Sequence, residues 1–97
     1  MQTEMVIVRF VGSLRGAAGR SRATLKLEKC LSLGQAVQKL CEQIPKLNQA
    51  FAQTESRHLN SNMLILVNGK EISALEGLDT HLKDEDEVVF IPIVHGG

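Results

Sequence analysis

The chain has 97 residues, 43% hydrophobic but only 3% aromatic, without tryptophan or tyrosine, so it is one small domain with an aliphatic core. Eleven Lys and Arg balance eleven Asp and Glu, and no net field draws the chain onto nucleic acid or an acidic membrane. No aromatic platform for stacking RNA bases is present either.

Met1-Gln2-Thr3-Glu4 lacks the basic start and apolar run of a secretory signal, and no stretch reaches the length of a membrane span. Cys30 and Cys41 have no CxxC spacing and read as small hydrophobes in a reducing compartment. A cytoplasmic location is the expectation.

Met5 to Val11 is rich in β-branched residues and predicts a first strand. Gly12 to Gly19 is a glycine-punctuated connection, expected to be a flexible hairpin turn. It lacks the Gly-Lys-Ser/Thr ending of a phosphate loop and does not match GxGxxG. Ala23 to Glu28 alternates, which suits a half-exposed second strand pairing with the first. Leu33, Ala36, Val37, Leu40, Cys41 and Ile44 recur on one helical face. Ser32 and Gln35 fit a capping box at that helix's start, and Pro45 ends it.

Leu47, Ala50 and Phe51 extend the helical pattern by a turn or two, and Gln53 to Asn62 reads as loop. Met63 to Val67 is an apolar run and predicts a buried strand. Asn68-Gly69 signals a hairpin into a short piece at Glu71-Ile72. Glu76 to Glu87 is polar, with Leu78 and Leu82 as anchors, and Val88 to Val94 is the last strand. The order is hairpin, helix, strand, short strand, final strand. This is an α+β chain with a mixed sheet of four to five strands and one main helix across one face, the β-grasp arrangement.

One helix covers one face of such a sheet. The first, third and last strands nevertheless offer apolar side chains to both faces. The uncovered face is therefore expected to be a protein interface. The parity chosen puts Val88 and Phe90 inward and Val89 and Ile91 outward, which makes Val89 and Ile91 candidate partner contacts.

Arg15, Arg20 and Arg22 form a local basic cluster, either solvated surface or a dock for an acidic partner. Asp84 to Glu87 is a run of four acids, either solvated or facing a basic partner. His58, His81 and His95 are scattered without metal-ligand spacing, so no metal site is expected. No serine or cysteine sits in a nucleophile motif, and the chain reads as something acted upon rather than an enzyme.

The sequence ends Val94-His95-Gly96-Gly97 directly behind the last strand. Glycines lack Cβ, so a diglycine end threads a narrow tunnel and leaves its carboxylate unobstructed. From Pro92 the chain reaches at most about 17 Å when extended. The expected organisation is a domain over 1–93 and a flexible diglycine tail over 94–97.

These features together resemble the ubiquitin-like sulfur carriers of the MoaD/ThiS family over essentially the whole chain. The match is carried by Val8-Arg9-Phe10-Val11-Gly12-Ser13-Leu14-Arg15, Leu66-Val67-Asn68-Gly69-Lys70-Glu71, and the stretch from Leu78 through Val88 into Ile91-Pro92. Two positions depart from the molybdopterin synthase small subunit. Ile93 stands where a second proline is usual, and Glu85 replaces a usual glycine. The ending His95-Gly96-Gly97 is similar to the ubiquitin-related modifier branch instead.

The resemblance implies that a ubiquitin-activating-type adenylyltransferase, supplying ATP and magnesium, adenylates the Gly97 carboxylate. A persulfide then converts it to a thiocarboxylate for a sulfur acceptor such as the molybdopterin synthase large subunit. Val94, His95 and Gly96 would line the mouth of the partner's tunnel, and the chain itself would bind no cofactor. The alternative it implies is a modifier joined to lysines of target proteins, or a sulfur donor for tRNA thiolation.

Overall fold

A computed structural model describes residues 4–27, 31–52 and 63–93. Five strands, β1 (Glu4–Phe10), β2 (Arg22–Leu27), β3 (Met63–Val67), β4 (Lys70–Glu71) and β5 (Glu87–Pro92), form one sheet in the order β2-β1-β5-β3-β4. β1 and β5 pair in parallel at its centre, and the other neighbours are antiparallel. The sheet is mixed, as the crossover between first and last strands predicts.

The long helix α2 spans Leu33–Gln43. Its capping box is formed: Ser32 Oγ accepts from the Gln35 N–H at 3.2 Å, and Gln35 Oε1 accepts from the Ser32 N–H at 3.0 Å. Leu33, Ala36, Val37 and Leu40 are buried against the sheet, with Cys41 and Ile44 packed at the margin. A short helix α3 (Leu47–Ala52) follows Pro45. The Leu33 N–H donates to the Thr80 carbonyl at 2.8 Å and the Leu82 N–H to Leu31 at 2.8 Å, which ties the polar segment before β5 to the start of α2. Leu82 is fully buried there and Leu78 packs at the edge of the core.

The segment from Gly12 to Gly19 is a helix rather than a flexible turn. Helix α1 (Ser13–Ala18) connects β1 to β2 and buries Leu14 and Ala18. Gly12 precedes it at φ 63° and Gly19 closes it in the left-handed conformation at φ 74°, donating its N–H to the Arg15 carbonyl. The two glycines punctuate a helix at both ends, and Leu14, inserted in the shared core, supplies the anchor. Here tertiary burial overrode glycine content.

Smaller corrections concern ends. β1 begins at Glu4 and stops at Phe10, and β2 begins at Arg22. β4 is Lys70–Glu71, because Ile72 turns into the core and opens a 3₁₀ turn, Ile72–Ala74. β5 ends at Pro92, a residue without an N–H to continue the ladder. The expected 53–62 loop, Glu28, Cys30, His58 and the 94–97 tail lie outside the described residues, and so does the side chain of Ala50.

Asn68 and Gly69 both take positive φ, 52° and 83°, as a tight primed hairpin requires. Asn68 also works as a brace between strands. Its Nδ2 donates to Asp86 Oδ1 at 2.9 Å, and its Oδ1 accepts from the Glu87 N–H at 3.0 Å. Replacing Asn68 with alanine removes both bonds and leaves a Cβ residue in the left-handed region. A loss of about 2 kcal/mol is expected, read as a drop in melting temperature of about 8–16 °C.

Candidate functional site

β5 is the centre from which the site is built. Val88 and Phe90 are buried under the helices, and Val89 and Ile91 turn to the opposite face, half-exposed. Cross-strand register then decides what joins them. Leu66 and Arg9 flank Val89, Leu64 pairs with Ile91, and Ile7 stands beside Glu87. The face not covered by the described helices thus carries Ile7, Leu64, Leu66, Val89 and Ile91, all half-buried, with no other described element laid over them. Val11 and Ile93, next in the same odd-numbered series, are 39% and 40% exposed. A contiguous apolar face of this kind on a small protein is an interface feature. It runs along β5 to Ile93, the last described residue before Val94.

Val94, His95, Gly96 and Gly97 lie outside the described residues. Ile7, Leu64 and Leu66 were not singled out from sequence, because only the register places the odd-numbered residues of β1 and β5 beside the even-numbered ones of β3. Arg9 and Glu87 form an ion pair at 3.2 Å on this face, another product of register.

The acidic run is internally committed. Asp84 Oδ1 accepts the Met5 N–H at 2.8 Å, and Asp86 accepts from Asn68 and from the Lys83 N–H. Glu87 holds Arg9. Glu85 sits at φ 70° and donates its N–H to the Met5 carbonyl at 2.7 Å. The residue that stands in for a usual glycine therefore occupies the left-handed conformation that favours glycine. Asp84 to Asp86 form the turn that leads into β5 and docks on Met5 near the start of β1.

His81 is exposed, and no group of His, Cys, Asp and Glu among the described residues is arranged to hold a metal ion. Burial pushes the Cys41 thiol above its ordinary value, so it is held as the neutral, weakly nucleophilic form. No helix among the described residues is long and apolar enough to cross a membrane.

A five-stranded mixed sheet, a crossover helix on one face and an open apolar face define a ubiquitin-like β-grasp protein. The sequence matches the ThiS family over residues 8–97, and the chain belongs to that family of ubiquitin-like sulfur carriers and modifiers. It is similar to the small archaeal modifier protein 1 of Methanosarcina acetivorans, at 32% identity and TM-score 0.77 over 100% of both chains. It is also similar to Urm1 of Trypanosoma brucei, at 28% identity and TM-score 0.66 over 100% of this chain and 99% of that one. A putative molybdopterin converting factor subunit 1 of Pyrococcus furiosus shares the fold, with TM-score 0.73 and 21% identity over 94% and 99% of the two chains. No match was found among the curated proteins.

Proposed function

We propose that this protein is a sulfur carrier whose Gly97 carboxylate is activated by a partner adenylyltransferase and converted to a thiocarboxylate for molybdopterin biosynthesis. The observation that carries this reading is the family match, which runs from residue 8 through Gly97. The open apolar face ending at Ile93 supports it by offering a partner a surface that leads to the tail.

The chemistry follows from the acyl group. A carboxylate resists substitution because oxide is a poor leaving group. One carboxylate oxygen of Gly97 attacks the α-phosphorus of ATP, and the α–β phosphoanhydride bond breaks to release pyrophosphate. Magnesium and cationic groups of the partner stabilise the charge that develops on the phosphoryl oxygens. A persulfide sulfur then attacks the acyl carbon and AMP leaves. A thiol cleaves the resulting acyl disulfide; it is oxidised to a disulfide as the S–S bond is reduced, and the thiocarboxylate is freed. Val94, His95 and Gly96 thread the partner's tunnel, and Val89 and Ile91 seat the body outside it.

The 32% identity to small archaeal modifier protein 1 favours a second reading, in which a target lysine captures the same adenylate as an isopeptide. Intact-mass measurement of the chain isolated from its own cell separates the two. A gain of about 16 Da at the C-terminus, sulfur for oxygen, is expected for the carrier. An unshifted mass together with the C-terminal segment of this chain, which carries no Lys or Arg after Lys83, found isopeptide-linked to lysines of other proteins would reject the carrier in favour of the modifier.

A further inference from the structure

We infer that Arg9, Arg15 and Arg22 form a docking groove for carboxylates on the protein that activates the tail. The inference rests on the carrier reading above and adds a charged contact to the apolar face. The β1–β2 register puts Arg9 directly opposite Arg22. Like charges facing one another across strands are destabilising. Arg15 of α1 lines the same open groove of about 400 Å³, together with Phe10, Val11 and Ser21. Arg20, grouped with Arg15 and Arg22 by sequence, is not part of its lining, and Arg9 takes its place.

The charge balance of the groove is one-sided. Glu87 answers Arg9 at 3.2 Å. Among the described residues no carboxylate meets Arg15 or Arg22, both exposed. Asp84, in the nearby acidic run, is engaged at the other end of β1, where it accepts the Met5 N–H. Among the described residues the groove thus holds two arginines without a carboxylate partner.

Its position identifies the occupant. Arg9 lies beside Val89, Phe10 beside Phe90, and the Val11 N–H donates to the Phe90 carbonyl. A Cβ on Gly12 would lie 3.7 Å from Pro92 Cγ, so the loop entering α1 packs against the end of β5. The groove thus adjoins both the apolar face and the exit toward the tail. An apolar centre with a charged rim is the anatomy of a protein–protein contact. A nucleic acid would want a longer basic track than one groove on a neutral chain. Guanidinium forks bind carboxylates bidentately and fix orientation as well as affinity.

The test is ATP–pyrophosphate exchange by the adenylyltransferase of the same cell, at varied carrier concentration and ionic strength. Arg15 and Arg22 have exposed side chains and Arg22 faces Arg9 across the strands, so R15A/R22A does not lower the melting temperature. It is expected to raise the KM for the carrier about 5–20-fold with kcat unchanged, and to flatten the salt dependence of kcat/KM. R15K/R22K keeps the charge without the fork; it is expected to regain the salt dependence and part of the affinity. Wild-type KM and salt slope in R15A/R22A overturn the groove while leaving the carrier reading intact. Arginine-dependent binding of a poly(U) probe, or arginine-dependent dimerisation of the chain, with unaltered exchange kinetics also overturns it. No exchange by the wild-type chain overturns groove and carrier together.

Discussion

Replacing Gly97 with alanine is expected to reduce pyrophosphate exchange by the partner adenylyltransferase about 100-fold or more, with the fold unchanged. On the proposed mechanism, the carboxylate oxygen must reach the α-phosphorus in line with the departing pyrophosphate. A methyl on the carbon next to the reacting one meets tunnel walls shaped around a residue without a Cβ. A displacement near 1 Å at a reacting centre is enough for a loss of that size. The fold survives because the core cluster of the described residues lies within residues 6–90, away from Gly97 in the sequence. The variant should therefore keep its melting temperature and lose exchange. Exchange at the wild-type rate would remove Gly97 from the mechanism.

The second large effect concerns stability. Phe90→Ala is expected to cost about 3–5 kcal/mol, measured as a shift in denaturation midpoint at constant m-value. Phe90 is fully buried at the middle of the central strand. Its ring stacks on Phe10, with centroids 6.3 Å apart, and meets the edge of Phe51 at 5.3 Å. One truncation thus breaks two aromatic contacts, each worth about 0.5–1.5 kcal/mol beyond area, and opens a cavity between the sheet and the helices. In a 97-residue chain this approaches the whole stability. The same residue sets the parity of β5. With Phe90 inward, Val89 and Ile91 face outward, so folding and the presentation of the open face depend on one side chain. A loss below about 1 kcal/mol would contradict that role.

Much of this was legible in the chain itself. The 3.6-residue recurrence from Leu33 to Ile44 with Ser32 and Gln35 located α2, since a capping box and an apolar stripe are local signals. Asn68-Gly69 located the β3–β4 hairpin, because few residues accept its positive φ values. Apolar segments at 63–67 and 88–94 predicted strands with apolar side chains on both faces, and the parity chosen for the last one, Val88 and Phe90 inward, is the one β5 takes. Those are properties of neighbouring residues, and they survive without knowing the fold.

Contacts between distant segments decided the rest. Leu14 becomes an anchor, and Gly12 to Gly19 a capped helix, only when the core reaches them. Asp84 and Asp86 cease to be free charges once Met5 and Asn68 arrive to bind them. Ile7, Leu64 and Leu66 join Val89 through the register of β1, β5 and β3, and that register also gathers Arg9 and Arg22. Local propensity determined where α2 and the main strands form. Only the pairing of strands far apart in sequence determined which faces meet, because hydrogen-bond register is a relation between segments and has no signature within either one.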